Sequence, residues 1–213
     1  MFIYKAQILC YNAKWDSIPG EDVRMAGLVL ASASPRRREL LALLGAAFTV
    51  DAPEVDETTD LGAREAVQLL SRRKALAAAA LHPGEIILAA DTLVAVDDRP
   101  LGKPADEAEA FRMLRSLADR EHHVFTGVTV VDARGGVHAG LDVSSVRFGP
   151  MSDREILGYI ATGEPMDKAG AYALQGRAAA WIERVDGTPS GVIGLPLPLT
   201  RRLLQEAGLW AAD

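Results

Sequence analysis

Ser32-Ala33-Ser34-Pro35-Arg36-Arg37-Arg38 follows the apolar run Leu28-Val29-Leu30-Ala31 and leads into Glu39-Leu40-Leu41-Ala42-Leu43-Leu44-Gly45. This succession predicts a strand, a polar turn and a helix. Ser34 suits the N-cap, Pro35 the first helical position and Gly45 the C-cap. The three arginines then fall in the first helical turn, where cations oppose the helix dipole. Two readings stay open on this segment alone: a solvated charged face, or an anion such as phosphate held by the arginines and the free backbone N–H groups.

Further along the chain, Phe48-Thr49-Val50 reads as a second strand and Glu54 to Asp60 as an acidic loop. A long helix is expected from Ala63 to Leu81, ending at His82-Pro83-Gly84, with Val67, Leu70, Lys74, Ala77 and Leu81 on one face. Lys74 interrupts that apolar stripe, so it either snorkels outward or reaches into a cleft toward negative charge. Residues 85–96 form the most apolar strand-like run, the kind found at the centre of a covered sheet, and Asp91 stands in its middle. A carboxylate buried there must be hydrogen-bonded, protonated, paired with a cation or bound to a metal.

Asp97 to Pro100 reads as a turn into the stiff loop Leu101-Gly102-Lys103-Pro104, and Asp106 as the cap of a helix carrying Phe111, Leu114 and Leu117. Val124 to Val131 and Val137 to Phe148 read as a hairpin turning at Asp132-Ala133-Arg134-Gly135-Gly136. Ser152 and Glu155 have capping-box spacing for a helix through Ala161. Residues 163–176 read as a long polar loop, of a kind that often carries function. A strand around Trp181 to Val185 and a helix from about Pro198 to Ala207 close the chain. The mixture predicts an α/β protein bordering on α+β, a mixed sheet flanked by helices.

At 213 residues the chain is long enough to bury a substantial core. Its formal charge of −6 argues against a general nucleic-acid or membrane-surface binder, so any positive site must be local. Cys10 is the single cysteine, which excludes an intrachain disulfide framework and fits a reducing, cytoplasmic setting. The four histidines have neither zinc spacing nor a helical i, i+4 pair. Residues 1–26 read as a loosely attached N-terminal extension, too short in its apolar part to span a bilayer. Met25 precedes the first strand, so the natural domain is expected to start there and residues 27–210 to form the folded unit.

Neither a P-loop nor a dinucleotide glycine fingerprint is present. What remains is a dispersed set of cations, Arg36, Arg37, Lys74, Lys103 and Lys168, with two carboxylates, Glu57 and Asp91, able to hold a divalent cation or activate water. That combination points to hydrolysis at a nucleotide polyphosphate.

The motifs sharpen this. Leu30-Ala31-Ser32-Ala33-Ser34-Pro35-Arg36-Arg37, Ala90-Asp91-Thr92-Leu93-Val94, Gly102-Lys103-Pro104, Phe125-Thr126-Gly127-Val128, Gly163-Glu164-Pro165 through Asp167-Lys168-Ala169-Gly170-Ala171-Tyr172, Gln175-Gly176 and Val192-Ile193-Gly194-Leu195-Pro196 occur in this order. With them, the chain from Leu28 to about Leu209 resembles the Maf family of nucleoside triphosphate pyrophosphatases. The resemblance implies an inosine-triphosphatase-like fold, a twisted sheet in two lobes around a nucleotide cleft, and metal-dependent cleavage of the α–β phosphoanhydride using Mg2+ or Mn2+. It implies catalytic roles for Asp91, Glu57, Lys74 and Lys103, with Asp91 and Glu57 also holding the metal. It implies substrate contacts from Ser32, Arg36, Arg37, Thr92, Lys168 and Gln175, and a homodimer. Arg36, Thr92 and Gln175 match the branch that cleaves dTTP and UTP. The alternatives left open are 7-methyl-GTP or another modified nucleotide as substrate, or a nucleotide-binding regulator of cell division. Gly191 departs from the family's usual asparagine, His123 from its usual polar or acidic residue, and the 26-residue extension has no family counterpart.

Overall fold

The computed structural model describes residues 27–97 and 99–210; the expectation for residues 1–26 lies outside the described residues. In chain order the elements are β1 (Leu28–Leu30), α1 (Pro35–Ala42), β2 (Phe48–Val50), α2 (Ala63–Leu81), β3 (Ile86–Val96), β4 (Arg99–Leu101), α3 (Glu107–Leu117), β5 (Glu121–Val131) and β6 (Val137–Phe148). Then come α4 (Asp153–Ile160), three short 3-10 turns between Glu164 and Trp181, β7 (Ile182–Asp186), α5 (Pro189–Ile193) and α6 (Leu197–Glu206). Seven strands form one mixed sheet in the order β2-β1-β3-β5-β6-β7, with β4 paired to the far end of β3. The expected α/β architecture is the one observed.

Strand alternation distributes the core over both faces of β3. Leu88 and Ala90 pack with Leu30, Leu41, Leu203 and Leu204 on the face covered by α1 and α6. Ile87 and Ala89 pack on the opposite face with Ala75 and Ala78 of α2. At the other end of β3, Val94 and Val96 join Leu114, Leu117, Phe148 and Ile156, which form the core beneath α3 and α4. The two ends of the long strands are thus two lobes that share one sheet.

One edge of β3 is interrupted. It pairs with β1 over Ile86 to Leu88 and with β4 over Val94 to Val96, so the stretch holding Asp91 and Thr92 lies between the two ladders. Its other edge is fully paired, with Asp91 opposite Gly127 and Thr92 opposite Thr126. The chain leaves β1 at this gap and starts α1, which places the arginine turn beside the centre of the sheet.

Several expectations need correction. On α2 the buried residues are Ala63, Ala66, Val67, Leu70, Ser71, Ala75 and Ala78, while Leu81 is 61% exposed. The helix turns Ala75 and Ala78, rather than Ala77 and Leu81, onto the sheet, and small side chains there let it approach closely. Residues 99–101, read as turn and loop, pair as β4. The strand expected from Val124 starts at Glu121, since buried His122 alternates with exposed Glu121 and His123 as in any strand. The polar loop 163–176 is tightened into 3-10 turns, and α5 was not anticipated.

Candidate active site

The capped turn that opens α1 forms as expected: the Ser34 side chain accepts from the Arg37 backbone N–H at 3.4 Å, and Pro35 occupies the first helical position. The three arginines then separate. Arg38 is exposed and is the solvated residue. Arg36 pairs with Asp167 at 3.3 Å. Arg37 turns inward, donating from Nε to the Gly194 carbonyl at 2.9 Å, from Nη1 to Ser32 Oγ at 3.2 Å and from Nη2 to Thr92 Oγ1 at 3.2 Å. All three acceptors are neutral, and among the described residues Arg37 has no carboxylate ion pair. Desolvation lowers its pKa, an effect that the charges of Asp91 and Glu57 only partly offset. A guanidinium stays charged regardless, so this is a half-buried cation whose fixed fork faces a cleft and suits an anion.

Asp91 is 7% exposed. It points to the α2 face of the sheet, where Lys74 Nζ lies 2.6 Å from its Oδ1 and 2.8 Å from Glu57 Oε1. Of the alternatives for Lys74, the structure selects the cleft over snorkelling; of those for Asp91, it selects pairing with a cation. The geometry depends on Gly127, because a Cβ there would collide with the Val67 carbonyl. The α2 backbone therefore rests directly on β5 beside Asp91, and Lys74, two turns after Val67, reaches the carboxylate.

Asp91 on β3 and Glu57 on the loop before α2 both reach Lys74 Nζ. Two carboxylates suit a magnesium-like cation that takes its remaining ligands from phosphate oxygens and water. Among the described residues no cluster of three or more His, Cys, Asp or Glu side chains is placed to hold a metal alone.

The loop after α4 supplies the opposite wall. Lys168 donates to the Glu164 carbonyl at 2.7 Å and pairs with Asp167. Burial alone would raise the Asp167 pKa, but hydrogen bonding to Lys168 and the charges of Lys168 and Arg36 hold it below the usual value. Lys103 and Gln175 are exposed and line the same space. Ser32, Arg36, Arg37, Glu57, Lys74, Asp91, Thr92, Lys103, Lys168 and Gln175 all line one cleft of about 990 Å³, so every residue singled out in the sequence is brought together.

Two contributors carried no individual role in the sequence. Thr126 Oγ1 lies 2.9 Å from Thr92 Oγ1 and donates to the Gly191 carbonyl at 3.0 Å, bracing the residue that receives Arg37. A threonine in the buried part of a central strand was its signal. Glu164 accepts from Tyr159 Oη at 2.8 Å and from the Arg177 backbone N–H at 3.0 Å, tying the two ends of the substrate-side loop together. It stood within the long polar loop, and no local pattern pointed to partners on α4 and at Arg177.

This sequence has close relatives. It is 50% identical over 187 residues to the dTTP/UTP pyrophosphatase of Symbiobacterium thermophilum, covering 86% of this chain and 95% of the relative. To the dTTP/UTP pyrophosphatase of Myxococcus xanthus it is 50% identical over 193 residues, covering 87% and 96%. The Staphylococcus aureus Ham1 protein is a looser likeness in structure, with a TM-score of 0.47 at 15% identity over 84% of this chain and 90% of that one. Residues 27–207 match the family described as Maf-like protein, and with half of all aligned positions shared with its relatives, the chain belongs to that family.

Proposed function

We propose that this chain hydrolyses the α–β phosphoanhydride of dTTP and UTP, adding water at the α-phosphorus and releasing the nucleoside monophosphate and pyrophosphate. The observation that carries this reading is Asp91, an ion-paired carboxylate at the floor of a cleft whose walls hold Arg37, Lys103 and Lys168. The names of the relatives supply the pyrimidine substrates.

Asp91 accepts the proton of the attacking water, and Lys74, 2.6 Å away, holds that carboxylate in place. The oxygen of that water forms the new bond to phosphorus as the bond to the bridging oxygen breaks. Arg37, Lys103 and Lys168 stabilise the charge that builds on the departing pyrophosphate, a service that fixed cations perform without reorganising. Asp91 and Glu57 would hold a divalent cation, which would supply Lewis-acid stabilisation of phosphate charge and help to activate water. Gln175, with one amide donor and one acceptor, reads the edge of uracil or thymine at the rim. Among the described residues no helix is long and apolar enough to cross a membrane.

Pyrophosphate release from a panel of nucleoside triphosphates, with magnesium or manganese present, tests the reading. dTTP and UTP should lead the panel with pyrophosphate as product; release of orthophosphate would reject the bond assignment. Equal turnover of purine triphosphates would reject the pyrimidine assignment.

A further inference from the structure

The helix α5 has only five residues, too short to hold itself, yet its C-cap carbonyl at Gly194 receives Arg37 Nε. What fixes it is a carboxylate on the neighbouring strand. Asp142 of β6 accepts from Thr188 Oγ1 at 2.6 Å and from Ser144 Oγ at 3.1 Å, and Ser144 Oγ in turn accepts from the Thr188 backbone N–H at 3.0 Å. Thr188 is the N-cap of α5 but makes no side-chain capping bond within it, because its hydroxyl is committed to Asp142.

The carboxylate also packs on the helix itself. A Cβ at Gly191 would overlap Asp142 Oδ2. Gly191 lies inside α5 and its φ is not positive, so glycine is required there for space and not for conformation. The Gly191 carbonyl meanwhile accepts from Thr126, which contacts Thr92, which accepts from Arg37 Nη2. Two of the three contacts that orient Arg37 therefore lead back to α5. Asp142 does not line the cleft.

We propose that Asp142 is a positioning residue for Arg37: by clamping α5 through Thr188, Ser144 and the bare backbone of Gly191, it sets the direction of the guanidinium toward the triphosphate. The inference rests on the functional reading above in taking Arg37 as a phosphate contact. Removing Asp142 leaves the Thr188 hydroxyl without its acceptor and frees α5 to shift, so Arg37 loses aim while Asp91 and Lys74 are undisturbed.

The test measures inorganic tripolyphosphate binding by calorimetry, and dTTP turnover, in the full chain. Asp142→Ala should weaken tripolyphosphate binding and lower kcat/KM for dTTP, each roughly tenfold, the size expected for a hydrogen bond to a charged group, because Arg37 acts on the bound phosphates and on the departing pyrophosphate alike. Thr188→Val removes the same bond from the other side and should reproduce the shift, which covers the case in which Asp142→Ala folds poorly. Asp142→Asn keeps an acceptor for Thr188 and should recover most of the affinity. In an Arg37→Ala background, Asp142→Ala should change neither quantity further; a merely structural role would add its loss there too. A persistent effect in that background, or wild-type affinity in both Asp142→Ala and Thr188→Val, overturns the proposal. A protein that binds tripolyphosphate with the predicted dependence on Asp142 but leaves dTTP intact overturns the functional reading alone.

Discussion

Lys74 and Asp91 form an ion pair at 2.6 Å with only 15% and 10% of their side-chain surfaces exposed, and Glu57 brings a second carboxylate within 2.8 Å of the same ammonium. One cation thus offsets two negative charges, one of them inside the sheet. Such a pair is costly to break from one side, because the remaining charge keeps its burial and loses its partner.

Lys74→Met should therefore destabilise the protein by about 3 kcal/mol, since Asp91 is left buried without its cation. Urea unfolding at neutral pH measures it. A loss below about 1 kcal/mol would mean that water reaches Asp91 more freely than its exposure implies.

Asp91→Asn separates chemistry from stability. The amide oxygen still accepts from Lys74 and Glu57 still balances the ammonium, so the fold should hold. The proton acceptor is gone, and pyrophosphate release should fall by about 10³-fold, within the usual range for removing a general base. Unchanged turnover in a folded variant would refute the assignment.

His122 gives a pH signature. It is buried, with Nε2 2.8 Å from Tyr172 Oη and Nδ1 without a partner among the described residues. Burial, with a smaller contribution from the neighbouring charge of His123, pushes its pKa down from 6.5 to about 4. The unfolded chain binds the proton more readily than the folded one between these values, so stability rises with pH across that window. The contribution is fully present above about pH 6.5 and is lost on acidification toward pH 4, amounting to about 3 kcal/mol. His122→Gln removes the titrating group and leaves the others in place. Its stability curve between pH 7 and pH 4.5 should be flatter than that of the wild type, and parallel curves would count against a neutral buried histidine.

Gly176 probes substrate choice. A Cβ there would overlap the Glu164 carboxylate, which holds Tyr159 and the Arg177 backbone. Gly176→Ala should expel Glu164 and displace the adjacent Gln175, lowering the preference for dTTP over dATP by roughly tenfold, the worth of one misplaced hydrogen-bonding group. The kcat for dTTP should change far less, since Asp91 and Lys74 stand on other elements.

The elements that carry the chemistry were legible because their signals are local. His82-Pro83-Gly84 stops α2, Ser34-Pro35 starts α1, and the apolar run around Asp91 marks a covered strand. What escaped depends on partners distant in sequence. β4 is three residues long and contains Pro100, so only its pairing with Val94 to Val96 makes it a strand. α5 contains a proline and a glycine in five residues and exists because Asp142 and Thr126 hold it. The role of Arg37 was expected, but its anchor at Gly194, 157 positions away, has no trace in the arginine turn.

The contact between Gly127 and the α2 backbone has a consequence for how this molecule can change. Lys74 stands on a helix whose backbone touches that of β5, the strand that pairs with β3 at Asp91, with no side chain between helix and strand to be exchanged. Gln175 rides on a segment tied down by replaceable side chains such as Glu164 and Tyr159. On the function proposed above, the centre built on Asp91 and Lys74 is insulated from drift, whereas the segment assigned to the base can be rewritten one residue at a time, so new nucleotide preferences can arise without rebuilding the hydrolytic machinery.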